Sequence, residues 1–389
     1  MDTVFNVSVV GAGVISHTYL CTIRRSPDLA FRSICSKSGL TARKLAGIYG
    51  GTAVATLEEI LADPAVDIVV NLAPPATHFE IGAAILRAGK HLYSEKPFAT
   101  SLDEAKELLA LAAARGLKIG CAPDTFLGTA HQAARRALDS GVIGKVVGGS
   151  VAVQSHGMES WHPNPASFYQ HGGGPLLDVA PYHVAALVHL LGPIDEVCGF
   201  ATQPSRVRRY TDASDQPASI PVNVPTTVNG ALMFRSGANI AFSASWDVWN
   251  HRRSPIELYG ERGVLATADP NNFTGGVEIS EEGGEWIPFE GHVPPPKLNI
   301  GAKQVRQAVA LMASGIDPLS GKPLGSTDSP PMGDLRGLGL VDLAAAIREK
   351  RPPRASGELG LHVLEVLLSL EAASRERRAI SIRSQVARP

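Results

Sequence analysis

Residues 91–100 read HLYSEKPFAT, an apolar strand pattern that runs into an acid, a lysine and a proline. A residue before proline is kept out of the α region, so the Lys96 side chain is aimed rather than left to wander. A fixed cation lowers the pKa of a neighbouring acid, which suits proton transfer near neutrality. A second stretch with chemistry in it is VVGAGVIS (9–16), which ends one apolar run and opens a helical one. Gly11 permits a tight turn there, and Gly13 lets the backbone approach a pyrophosphate at a helix N-terminus. The third glycine of a GxGxxG pattern is replaced by Ser16, a residue still small enough for close packing of helix on sheet. Val14 and Ile15 follow in the same turn and count with it as dinucleotide contacts.

These residues need a parallel sheet to carry them. The first 120 or so residues alternate apolar runs at 4–13, 30–36, 66–74, 90–95 and 117–123 with helical segments. Continuous apolar strands between amphipathic helices predict a sheet covered on both faces, with all the strand C-termini along one edge. The second run ends in CSKSGLTARK (35–44), where an acid would bind the ribose 2′-hydroxyl of NAD. Ser36 and Lys37 stand there instead, with Arg43 and Lys44 one turn into the helix, which favours NADP over NAD; the other reading is that these bases merely face water. The loop NLAPPATH (71–78) ends the third run and crosses the crevice, so Leu72 and Pro74 belong to the cofactor site. His78 either touches the cofactor or is an ordinary surface histidine.

After residue 124 the rhythm changes. Two helical stretches (128–140 and 176–191) accompany mostly β-like runs at 145–153, 226–234, 238–248, 255–260 and 263–269. In the third of these runs Ile240, Phe242 and Trp246 share one face and Ala241, Ser243 and Ser245 the other, the pattern of an antiparallel strand. Residues 294–331 are rich in Pro, Gly and Ser and are expected to be mostly loop, and 358–374 return to helix. The reading is an α/β chain: an N-terminal Rossmann domain (1–122) and a C-terminal α/β domain (123–389) with an open, mainly antiparallel sheet.

The 389 residues are 44% hydrophobic and carry a net charge of -1, which argues against nucleic acid or a membrane surface as a partner. Four scattered cysteines and twelve histidines form no ligand-like spacing, so no metal site is expected. The scattered thiols suit a reducing compartment, and no stretch has the ~20 apolar residues of a membrane span. A cytoplasmic protein is the expectation.

Taken together, VVGAGVIS, NLAPPATH, GKHLYSEKP and GGGPLLDVAPYHVAALVHLLG (172–192) resemble the Gfo/Idh/MocA family of NAD(P)-dependent sugar and cyclitol oxidoreductases, and the likeness covers nearly the whole chain. The resemblance implies that Lys96 contacts the nicotinamide ribose and the reacting hydroxyl, with Glu95 beside the nicotinamide and a Lys–Pro bond that is often cis. It also implies that Asp178 and Tyr182 serve the substrate, Tyr182 as base, Asp178 as orienting group and Lys96 as the nearby cation. Spaced four apart, the two would share one helical face if the helix is regular. His183 would face elsewhere and stays in reserve because Pro181 makes regularity uncertain. Asp124 in GCAPDTF, and Trp161, His162 and Tyr169 in the 159–174 loop, are further substrate candidates. A redox-neutral glycosidase of the same family and a non-catalytic NAD(P) sensor are the competing functions. The small-residue face of 238–248, supported by the resemblance, predicts a homo-oligomer (dimer or tetramer) joined through open sheets.

Overall fold

In the computed structural model, residues 4–162, 165–211, 216–289 and 335–389 are described, together with 307–308, 310–312, 314–318 and 321–324. The chain forms two compact units, Met1–Asp124 with Gln307–Leu361 and Thr125–Arg306 with His362–Pro389. The sequence division at residue 122 places 307–361 in the second half, whereas the compact unit that holds this segment is the first. Most of the 294–331 stretch lies outside the described residues.

The first unit is a six-stranded parallel sheet in the order β3-β2-β1-β4-β5-β6. The strands are β1 (Phe5–Val10), β2 (Leu29–Cys35), β3 (Thr52–Ala53), β4 (Ile68–Asn71), β5 (His91–Ser94) and β6 (Ile119–Cys121). Helices α1 (Ser16–Arg25), α2 (Leu40–Tyr49), α3 (Leu57–Ala62), α4 (His78–Arg87) and α5 (Leu102–Arg115) connect them. Five strands match the apolar runs in the sequence. The sixth, β3, is two residues long and has no run to betray it. Helix starts are set locally: the Thr56 hydroxyl accepts the Glu59 N–H at 3.3 Å, and Ser101 with Glu104 forms a capping box on α5. The strand order reverses between β1 and β4, which opens a crevice at their C-terminal ends.

Residues 335–361 complete this unit. Helix α9 (Leu338–Arg348) sends Leu340, Leu343 and Ala344 into the core cluster of Val7, Val9, Tyr19 and Tyr93. Its N-terminus is capped from far away in the chain. Asp124, 1% exposed, accepts the Gly337 and Gly339 N–H groups on Oδ2 at 2.9 and 2.8 Å. Exposed backbone donors at a helix start favour a carboxylate.

The second unit is built on a nine-stranded sheet in the order β16-β15-β14-β13-β7-β12-β11-β8-β17, where β7 and β12 run parallel and the other neighbours antiparallel. Its strands are β16 (Ile287–Pro288), β15 (Glu278–Glu281), β14 (Gly263–Thr267), β13 (Ile256–Gly260), β7 (Val146–Gln154), β12 (Asn239–Ser245), β11 (Thr227–Phe234), β8 (Ile194–Thr202) and β17 (Ile380–Ser381). Strands β9 (Val207–Thr211) and β10 (Pro217–Pro221) pair in a separate two-stranded sheet. The described helices include α6 (Thr129–Asp139), α7 (Gly174–Asp178) and α8 (Ala180–Leu191), and α10 (Gly357–Glu376) runs through the unit boundary at Leu361. Ile240 and Phe242 of β12 are buried and Ala241 is exposed, as the alternation predicts. Ser243 and Ser245 are not open, at 8% and 3% exposure. The Gln154 amide covers the first, donating to its hydroxyl at 2.8 Å, and the Thr227 hydroxyl lies 2.6 Å from the second.

Burial pushes the Asp124 carboxyl up to about 6, against the opposing pull of the two glycine N–H groups. A carboxyl raised in the folded chain binds its proton more tightly than the unfolded one, whose value is about 3.9. Its contribution is therefore fully present below about pH 4 and is lost as pH rises through about 6. Urea unfolding across this window should show the wild type losing stability relative to Asp124→Asn. A constant difference between the two would remove Asp124 as the titrating group.

Candidate dinucleotide and substrate site

The crevice between β1 and β4 is a cleft of about 940 Å³. Gly11, Gly13, Ser36, Lys37, Leu72 and Pro74 all line it, and Thr41, Thr56 and Thr77 add hydroxyls that the sequence reading had missed. Gly11 has φ +101°, and a side chain there would lie 2.6 Å from the Leu72 carbonyl oxygen. No other residue fits that turn. A side chain built on Gly13 would meet no protein atom within 4 Å, so the space over Gly13 is left to the cleft. Ser16 does more than stay small. It is fully buried, and its hydroxyl donates to the Gly11 carbonyl at 3.0 Å, closing the turn. Val14 is exposed and Ile15 half-buried just before α1, and neither is among the cleft-lining residues.

At the end of β2 the Ser36 hydroxyl lies 3.0 Å from that of Thr41, and Lys37 is exposed. Lys37 is the one charged side chain in the described lining, which contains no carboxylate. Glu59, in the first turn of α3, folds back onto the Ala55 N–H at 3.2 Å. Burial, then Glu58 and Glu59, push the Cys35 thiol up to about 11, so it stays protonated.

Two sequence candidates face inward instead of into the cleft. His78 is 1% exposed and contacts two backbone carbonyls, those of Pro97 and Ala73. Glu95, 9% exposed, accepts the Tyr19 hydroxyl at 2.7 Å on Oε1 and the Lys96 N–H at 2.9 Å on Oε2. Burial, then the Glu95 charge, raise the Tyr19 phenol well above its ordinary value, so it remains the donor. Lys96 is half-buried and its bond to Pro97 is cis, as the resemblance implies. Asp124 is the buried cap of α9 described above and presents no open carboxylate for a substrate.

In the second unit the helix expected over 176–191 breaks. α7 ends at Asp178, Val179 adopts φ -112°, and α8 starts at Ala180 with Pro181 in its first turn. A proline deeper in a continuous helix would lose a hydrogen bond and clash with the preceding turn. Asp178 and Tyr182 therefore do not share the face of one regular helix. Asp178 is half-buried and Tyr182 is 7% exposed. His183 is buried with Nε2 3.9 Å from Asp269, and burial holds its pKa below the ordinary value against that carboxylate.

The 159–174 loop divides in the same way. Trp161 and His162 pack edge to face, with His162 in turn against Phe168 at 4.8 Å between centroids. Tyr169 is fully buried, donates its hydroxyl to Glu159 and packs on Trp246. Arg208 pairs there with both Glu159 and Asp247. Tyr169 thus belongs to a buried polar network rather than to an open sugar-binding surface. No group of three or more metal-ligating side chains occurs among the described residues, and no helix among them is long and apolar enough to cross a membrane.

A parallel sheet in this order, with a glycine turn at its switch point, defines a dinucleotide-binding architecture. The family model described as the oxidoreductase family with an NAD-binding Rossmann fold matches residues 5–122, and the GFO/IDH/MocA C-terminal domain matches 131–266. The chain belongs to the GFO/IDH/MocA oxidoreductase family. It is 30% identical over 223 residues to the uncharacterized Saccharomyces cerevisiae protein YMR315W, a match spanning 54% of this chain and 61% of that one. It is 29% identical over 263 residues to the 1,5-anhydro-D-fructose reductase of Ensifer adhaerens, spanning 66% of this chain and 74% of the relative. Its fold is like that of levoglucosan dehydrogenase in complex with NADH and L-sorbose, with TM-score 0.75 at 17% identity, covering 98% of this chain and 99% of that one.

Proposed function

We propose that the chain transfers a hydride between NAD(P) and a secondary hydroxyl or keto group of a sugar, glycoside or cyclitol. The observation that carries this is the 940 Å³ cleft, walled by the Gly11 turn and the 72–74 loop, on a sheet whose β5 leads into Lys96. Gly11 and Gly13 would take the pyrophosphate, Ser36 and Lys37 the adenosine ribose, and Leu72 and Pro74 the crossing of the crevice. NAD(P) supplies the hydride acceptor or donor. Lys96 holds positive charge at the reacting oxygen, Tyr182 moves its proton, and Asp178 orients the hydroxyl. An ordinary tyrosine titrates near 10 and needs a cation beside it to act as a base near neutrality, the part this reading gives to Lys96. The likeness to a 1,5-anhydro-D-fructose reductase and a levoglucosan dehydrogenase supports a sugar-type substrate. The cytoplasm, a reducing compartment, suits its four scattered cysteines.

A screen of aldoses, cyclitols and glycosides with each nucleotide, read by nicotinamide absorbance, tests the reading. Product without net nicotinamide change would point to a redox-neutral glycosidase instead. On a good substrate Lys96→Ala should lower turnover by roughly 10²-fold or more with a smaller change in nucleotide affinity. Near-normal turnover in that variant would remove Lys96 from the mechanism.

The same cleft supports NADP over NAD, because the one charged side chain in its described lining is a lysine. NADPH should bind at least as tightly as NADH, and Ser36→Asp should shift preference toward NADH by placing a carboxylate against the 2′-phosphate. A clear wild-type preference for NADH in a fluorescence titration contradicts this.

We also propose a homo-oligomer joined through the outer face of the nine-stranded sheet. Cys198, Ala231, Ala241 and Ser150 are successive cross-strand neighbours on that face, and Phe200 beside them is 72% exposed. Small side chains let a second sheet approach to about 10 Å. A twofold pairing is the commonest outcome for a self-complementary patch. Ala241→Arg should yield folded, nucleotide-binding monomers by light scattering; a monomeric wild type at micromolar concentration rejects the interface.

A further inference from the structure

His78 opens α4 with its ring enclosed by backbone. Nδ1 lies 2.7 Å from the Pro97 carbonyl oxygen and Nε2 2.8 Å from that of Ala73. Both distances are shorter than the ~3.3 Å or more of a C–H···O contact, so the ring has one orientation, with a nitrogen facing each oxygen. A neutral ring donates its single N–H to one of the two carbonyls, and a protonated ring donates to both. Burial lowers the ring's pKa, against the pull of the two carbonyls. The two oxygens belong to different loops. Ala73 is part of the cleft wall, between Leu72 and Pro74. Pro97 follows Lys96.

Both ends of this bridge are anchored. Asn71 donates its side-chain N–H to the His78 carbonyl at 3.1 Å and accepts the Ala73 N–H at 3.3 Å, so wall and ring share one frame. On the far side the Lys96 N–H is held by Glu95, which is itself held by Tyr19 of α1. The backbone of Lys96–Pro97 is therefore gripped on one side by Glu95 and on the other by His78. Of the two grips, that of His78 reaches the wall of the dinucleotide cleft.

We propose that His78 is a positioning residue that fixes Lys96 relative to the wall of the dinucleotide cleft. The proposal rests on the reading of Lys96 as the cation at the reacting oxygen. Imidazole suits the task because its two nitrogens point to opposite sides of one rigid ring. A phenyl ring fills the space but donates to neither carbonyl, so a buried acceptor that the imidazole N–H serves is left unpaired. The loops would then shift to find other partners, and the lysine would move with them. Displacements of about 1 Å cost on the order of 10²-fold in rate when geometry carries the catalysis.

The test uses the full-length enzyme with the best substrate from the screen above and compares His78→Phe, His78→Gln, Lys96→Ala and the Lys96→Ala/His78→Phe double variant. With saturating nucleotide, His78→Phe should lose 10-fold or more in kcat while the NADPH or NADH Kd, read by fluorescence, changes less than about 3-fold. His78→Gln, which keeps one donor group, should recover part of the loss, and it carries the test alone if His78→Phe does not fold. The double variant should be no slower than Lys96→Ala, because a residue that acts through Lys96 has nothing left to position. Near-normal kcat in both His78 variants, or a further loss in the double variant equal to that of His78→Phe alone, overturns the proposal. An active Lys96→Ala sinks the reading of the lysine and the coupling with it. An inactive Lys96→Ala beside active His78 variants sinks the coupling only.

Discussion

A carboxylate taken out of water must be given donors, or it costs several kcal/mol to keep there. Glu95 meets that requirement with one side-chain hydroxyl and one backbone N–H, both from groups the site depends on. Tyr19 stands on the helix that the glycine turn initiates, and the N–H is that of Lys96 itself. Neither can drift without stranding a buried charge. The spacing between nucleotide turn and lysine is therefore set by an electrostatic demand, and the apolar packing of Tyr19 on Tyr93 only has to agree with it. His78 repeats the logic with the polarity reversed, as a buried ring set between two backbone carbonyls.

The nucleotide half was legible because its signals are local. A glycine at a positive φ, a strand of continuous apolar residues and a proline after a lysine each constrain their own few residues. Gly11, Gly13, Ser36, Lys37, Leu72 and Pro74 came together where strand order alone had placed them. What failed there failed for want of a direction. Sequence spacing says that His78 opens the helix after one strand and that Glu95 follows the end of another, and does not say whether they point into the cleft or behind it. Thr41, Thr56 and Thr77 were missed because a hydroxyl carries no distinguishing signal.

The second half was less legible because its constraints are long-range. Pro181 hinted at an irregular helix, but the break at Val179 depends on how two short segments pack. Tyr169 reads as a sugar-stacking aromatic until Glu159, Arg208 and Asp247 are seen around it, and Asp247 lies far along the chain. Asp124 is the sharpest case. It reads as a cleft residue at the junction of two halves, yet its partners are Gly337 and Gly339, more than two hundred positions away.

That distance bears on how the chain is made. On a ribosome adding about 5–20 residues per second, the six strands are complete by residue 121 while the helix that covers Tyr19 and Tyr93 does not yet exist. All of 125–306 must be synthesised first, a wait on the order of ten seconds or more. Through that interval the nascent sheet carries an apolar surface with no cover and a carboxylate with no cap. An N-terminal fragment that stops near residue 124 is thus an exposed intermediate rather than a free-standing module, and the dinucleotide-binding half is finished only when residue 361 is reached, with 362–389 of the second unit alone still to follow.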